Sequence, residues 1–148
     1  MKFSTRTLYG LKAILVLAGR YGEGLLSVSA IAKKESISVH YLEQILNALK
    51  KKGLVKSVRG PQGGYALAEK PSDITLEQLF YALEPKAIIT EKVSADYDET
   101  ALANGLFWEA LSSAIEKGLS QVTLRQLLDE ARRSKKNKQR SPSHTFHI

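Results

Sequence analysis

The chain has 148 residues and 43% hydrophobic composition, with 22 Lys and Arg against 15 Asp and Glu, a net charge of +7. That length suits one domain, or one domain with an appended helix, and the absence of cysteine excludes disulfides, cysteine nucleophiles and thiolate-held metal or iron–sulfur centres. No apolar run reaches the ~20 residues of a membrane span, and the polar opening Met1 to Arg6 lacks a signal peptide's apolar stretch, so a cytoplasmic protein is expected.

The first periodic segment covers residues 5–18, with Leu8, Leu11, Leu15 and Ala18 at helical spacing, and ends at Gly22 and Gly24. Ser27 is an N-cap candidate for a short second helix carrying Val28, Ile31 and Ala32. After a break at Glu35, Ser36 and Ile37, Ser38 caps a third helix with Leu42, Ile45, Leu46 and Leu49 on its buried face, and Gly53 stops it. The period then changes. Residues 54–59 and 65–68 are short β-prone runs around Gly60-Pro61-Gln62-Gly63-Gly64, which predicts a hairpin. Thr75 to Gln78 has a capping-box pattern that opens a fourth helix through Leu83, and Pro85 closes it. Residues 86–98 read as a loop. From about Thr100 a helical pattern resumes with Leu102, Leu106, Leu111 and Ile115, ending near Gly118. Thr123 to Gln126 repeats the capping-box pattern before Leu127, Leu128 and Ala131. The Lys-, Arg-, Ser- and His-rich end is expected to be a disordered basic tail, either simply solvated or a DNA-contacting arm.

Helix, helix, short turn, helix, hairpin is the order of a winged helix-turn-helix, a mainly α fold with a small β-hairpin wing. The sequence pI near 9.6 gives a field that attracts polyanions, nucleic acid first and an acidic membrane surface as its rival. The third helix is free to enter a major groove, because its outer face carries His40, Tyr41, Glu43, Gln44 and Asn47. Gln44 or Asn47 can pair with adenine, Glu43 can accept from a cytosine amino group, and Ser38 with its neighbouring N–H groups suits a phosphate. Arg59, beside Gly60, Pro61, Gly63 and Gly64, is carried on a thin loop suited to a minor groove. Lys50, Lys51, Lys52 and Lys56 add phosphate-neutralising charge. Each feature alone is compatible with an ordinary solvated surface, but their conjunction favours DNA.

Three stretches carry a family resemblance: Ser4-Thr5 with Leu8 to Ala13, then Ile37 to Leu46, then Gly53 to Tyr65. They resemble the opening helix, recognition helix and wing of the IscR, NsrR and CymR family of bacterial regulators, the Rrf2 type. The match covers most of the first 85 residues, and residues 100–133 agree more loosely with that family's long dimerisation helix and a following short helix. Local patterning and the resemblance together divide the chain into four expected segments: a winged helix-turn-helix domain at 1–85, a loop at 86–99 in place of the cluster-binding loop, dimerisation helices at 100–133, and a disordered basic tail at 134–148. The resemblance also implies a homodimer on a pseudo-palindromic operator, acting as a repressor. Ser38, Tyr41, Glu43 and Gln44 would then lie in or beside the major groove, with Arg59 and Gly60 at the minor groove. Leu102, Leu106, Trp108, Leu111 and Ile115 are the expected dimer-interface residues.

The departures from the family pattern concern its cofactor. Cluster-binding members use three cysteines between the fourth helix and the dimerisation helix, but residues 86–104 hold neither cysteine nor histidine. Some members use a His three residues before a Trp, where Gly105 precedes Trp108, and others use an acid and a His where Leu8 and Lys33 stand. No cofactor is expected, and the resemblance is to the cluster-free, CymR-like branch, some of whose members depend on a partner enzyme. Enzyme activity is not expected, because His40, His144 and His147 are the only histidines. Asp96, Asp98 and Glu99 are weak candidates for a hard cation against a solvated acidic loop. The rival reading is a winged-helix interaction module that docks a partner enzyme and binds DNA weakly. A partner protein or a small-molecule effector remains an open expectation, and no membrane partner is expected.

Overall fold

A computed structural model describes residues 3–84 and 98–140. The elements run α1 (Thr5–Gly19), α2 (Val28–Glu35), α3 (Val39–Lys51), β1 (Val55–Val58), β2 (Gly64–Leu67), α4 (Leu76–Leu83), α5 (Glu99–Ser120) and α6 (Leu124–Arg140). Helices thus dominate, with one two-stranded antiparallel sheet as the wing.

Local chemistry sets the helix starts. Ser4, Ser27 and Ser38 each accept a backbone N–H three residues on, satisfying a donor that the first turn leaves unpaired. Thr75 and Gln78 form a reciprocal capping box, and Thr123 with Gln126 repeats it at the start of α6. Between α2 and α3 the chain turns at Ser36, whose φ of +56° is left-handed, and Ile37 then enters the core. Ser36 to Ser38 is therefore the turn of the helix-turn-helix.

The core gathers Ile14 and Leu17 of α1, Ile31 of α2, Leu42, Ile45, Leu46 and Leu49 of α3, and Leu79 and Leu83 of α4. No polar or charged residue is buried among the described residues. The buried face of α1 differs from the expected leucine stripe. It runs through Gly10, Ala13, Ile14 and Leu17, while Leu8 is 53% exposed. The reason is close helix approach: a Cβ on Gly10 would lie 2.4 Å from Leu83 Cδ2, so α4 fits against α1 only where α1 is small.

Past α4 the chain returns to this core. Leu76 N–H donates to Val122 O at 2.8 Å and Leu124 N–H to Ile74 O at 3.0 Å, an antiparallel bridge centred on Thr75 and Thr123. Leu124 is fully buried, so the core crosses the expected boundary at residue 85. A second departure concerns the end of the chain. The expected tail from 134 is helical through Arg140, because Lys, Arg and Gln favour helix. Arg125–Asp129 and Arg133–Glu130 pairs, at 3.0 and 3.6 Å, line the same helix. Of the expected loop at 86–99, residues 86–97 lie outside the described residues, as does the tail from 141, while Glu99 already belongs to α5. Asp98, at the end of that loop, is the N-cap of α5 and accepts the Ala101 N–H at 2.7 Å.

Candidate nucleic-acid interface

The outward face of α3 follows from its inward one. With Leu42, Ile45, Leu46 and Leu49 fully buried, a period of 3.6 residues places His40, Gln44, Asn47 and Lys51 in line on the opposite side, and all four are exposed. Glu43 flanks this stripe and is also exposed. His40 Nε2 and Gln44 Nε2 lie 3.1 Å apart, so a neutral imidazole can accept the Gln44 amide and hold it along the helix. Ser38 Oγ receives the Tyr41 N–H at 3.3 Å, which leaves its own hydrogen to donate outward.

Tyr41 is placed differently from its neighbours. Its ring is half-buried and meets Tyr9 of α1 edge-on, with centroids 5.9 Å apart. It stands at the margin of the outward stripe rather than at its front, and no helical period reveals a partner thirty-two positions away.

The wing stands beside this helix because Leu54 and Val55, which follow it, are buried in the core and the Leu54 N–H returns to Leu49 O at 3.0 Å. The sequence reading missed one further contact. Lys50 Nζ donates to Ser57 Oγ at 2.7 Å, tying the end of α3 to β1. Lys50 is thus partly committed, whereas Lys51 and Lys52 are exposed. β1 and β2 pair from Val55–Leu67 to Val58–Gly64, which leaves Arg59 and Pro61 exposed at the tip. Gly60 has a φ of +115°, and the Gly63 N–H closes the turn on Gly60 O at 2.9 Å. Gly63 and Gly64 have reasons within the fold. A Cβ on Gly63 would lie 2.2 Å from Val58 O, and one on Gly64 would lie 2.5 Å from Leu26 O. Leu26 and Tyr65 exchange backbone hydrogen bonds of 2.9 and 2.8 Å, adding a third, single-residue rung to the wing.

The second candidate surface is α5. Its 22 residues contain none that is buried. Leu102 and Leu106 are 46% and 65% exposed, and Phe107, which the sequence reading passed over, is 59% exposed. Trp108, Leu111 and Ile115 are half-buried, and Trp108 Nε1 donates to Asn104 Oδ1 at 3.2 Å. The five expected interface residues therefore occupy two environments, with Leu102 and Leu106 the more outward. Tyr81 of α4 donates its hydroxyl to Glu116, and that bond to a carboxylate pushes the phenol up to about 12. Glu84, at the end of α4, accepts from the hydroxyls of Ser4 and Thr7. Those bonds, the Ser4 one first, hold its carboxyl below the usual range.

Residues 3–130 match the Rrf2 family, described as an iron-dependent transcriptional regulator. The chain is 38% identical over 127 residues to the HTH-type transcriptional regulator CymR of Bacillus subtilis (strain 168), over 86% of this chain and 89% of that relative. Its fold is similar to the solved structure of CymR (YrzC), the global cysteine regulator of B. subtilis, with a TM-score of 0.75 and 35% identity over 88% of this chain and 98% of the other. T. potens IscR is likewise similar, with a TM-score of 0.73 and 33% identity over 99% and 97% of the two chains.

Proposed function

The chain belongs to the Rrf2 family of transcriptional regulators and is a DNA-binding regulator, and from that premise we propose that it represses transcription as a homodimer on a pseudo-palindromic operator, without an iron–sulfur cluster. The observation that carries this reading is the continuous polar stripe of His40, Gln44, Asn47 and Lys51, set beside a wing tipped by Arg59. Gln44, Asn47 and Glu43 supply donors and acceptors for base edges in a major groove. Ser38, Lys51 and the free N–H groups at the start of α3 serve phosphates. Arg59, Gly60 and Pro61 form the slender tip that a minor groove admits, and Gly63 and Gly64 let that tip turn tightly. Dimerisation is supported by α5, whose Leu102, Leu106 and Phe107 stay exposed in a single chain. Two copies of α3 would then meet two half-sites on one side of the duplex.

Iron is implied by the family description, and the donors present do not fit a cluster. Cluster irons take thiolates, with histidine or another donor replacing some of them. This sequence has no cysteine, His40 lies on the outward stripe against Gln44, and no group of three His, Asp or Glu is placed to hold a metal among the described residues.

Selection of bound sequences from a random DNA pool, followed by mobility shifts across a salt series, tests the reading. A palindromic consensus, a steep loss of affinity with salt and indifference to iron are expected. Purified protein that carries a visible chromophore with stoichiometric iron and sulfide overturns the cluster-free part. A single half-site bound by one chain overturns the dimeric part. Salt-insensitive, sequence-blind binding would leave the interaction-module reading in its place.

A further inference from the structure

The wing has a second face, turned away from α3. Along β1, Val55 is buried and Ser57 bonds to Lys50, so Lys56 and Val58 alternate to the opposite side. There the sheet, the end of α1 and the segment leading to α2 border a half-open cleft of about 480 Å³, within the range of small-molecule pockets. Tyr21, Leu25 and Val58 line it although they are 48%, 37% and 53% exposed. Three large apolar side chains from different segments thus converge on one concave surface instead of being scattered. Arg20 and Lys56 also line it. Arg20 is matched by Glu23 at 3.1 Å, while Lys56 has no acidic partner among the described residues.

We propose that this cleft binds a small organic monoanion, an apolar body bearing a single carboxylate, with Lys56 receiving the carboxylate and Tyr21, Leu25 and Val58 holding the body. A lining that is mainly apolar, with Arg20 already paired to Glu23, disfavours inorganic phosphate. One unmatched cation fits one negative charge rather than two. On the DNA-binding reading the wing tip meets DNA, whereas Lys56, grouped by sequence with the phosphate-neutralising lysines, lines this recess instead. An occupant touching Lys56 and Val58 also braces the hairpin one residue before Arg59, so it sets where the wing tip stands. That consequence rests on the DNA-binding reading; occupancy of the cleft does not.

The test is titration of the isotopically labelled full chain with 3-phenylpropionate as probe, against its uncharged amide and against sodium chloride of equal ionic strength. Saturable shifts centred on Tyr21, Leu25, Val58 and Ala66 are expected, with the amide at least tenfold weaker. Leu25→Asp, which sets a like charge in the recess, and Lys56→Gln, at an exposed position, should each weaken the acid at least tenfold. Equal binding of acid and amide, shifts centred elsewhere, absence of saturation, or undiminished binding in both variants overturns the site. Mobility shifts then read the coupling, for which saturating acid should change operator affinity at least threefold. A bound acid with unchanged operator affinity overturns the coupling alone. A protein that binds the acid but no DNA overturns the regulator reading and leaves the cleft standing.

Discussion

At the scale of single residues, the proposed interface would divide its labour by chemistry. Gln44 sits at the centre of the outward stripe and is steadied by His40. Gln44→Ala should therefore cost about 1–3 kcal/mol on the operator and relax preference at one base position, measured by comparing the operator with single-base variants. Lys51, exposed about two turns further on, carries charge without a directed partner. Lys51→Ala should weaken every sequence alike and lower the salt slope by about one unit. Arg59→Ala should instead lose most affinity where the flanking DNA narrows its minor groove. Equal losses for Arg59→Ala and Lys51→Ala on every flank would make the wing a phosphate clamp. The outward placement of Gln44 and Lys51 was legible because Leu42, Ile45, Leu46 and Leu49 fix the inward face of α3 and so its outward one. Tyr41 was not, since its packing on Tyr9 is a contact between distant positions.

At the scale of elements, the wing and the start of α1 each depend on small, local geometries. Gly64→Ala would drive a Cβ toward Leu26 O. It should lower stability by about 1–3 kcal/mol, read as a shifted denaturation midpoint without any DNA present. A variant as stable as the parent but deficient in DNA binding would assign Gly64 to the interface instead. Glu84 links the end of α4 to the start of α1 and is held below its ordinary value of 4.5, chiefly by the Ser4 hydroxyl. A lowered carboxyl stabilises the fold above that ordinary value and loses its contribution as pH falls through the lowered one. Glu84→Gln should thus be less stable than the parent at neutral pH, with the gap closing on acidification; a gap that is constant with pH removes this account. The caps at Ser27, Ser38, Thr75 and Thr123 were readable because each is settled within four residues. The length of α6 was not, since its Lys- and Arg-rich composition suits both a disordered tail and a solvated helix. Nor was the face of α1, where Gly10 and Ala13, rather than the leucines, mark the closest packing.

At the scale of the whole molecule, α5 is the element that a single chain leaves uncovered. Leu106 is 65% exposed, so Leu106→Glu should leave the helical content and thermal unfolding of the monomeric fold unchanged while dissociating a dimer. Sedimentation of dilute parent protein should give twice the 16.4 kDa chain mass, and the variant a single chain with weakened operator binding. A parent that sediments as a monomer with full operator affinity overturns the assignment. The expected boundary at residue 85 was drawn from local signals, and the bridge between Thr75 and Thr123 has none, because it joins segments forty-eight positions apart in chain order.

That bridge bears on how the protein is born. Among the described residues, the other fully buried side chains of the winged domain's core all precede Leu124, and synthesis delivers residues from the N-terminus onward. A nascent chain that has already emitted its recognition helix and wing still lacks a core side chain and the partner strand of Ile74 and Leu76. Those contacts form only once α5, the candidate pairing helix, has also left the ribosome.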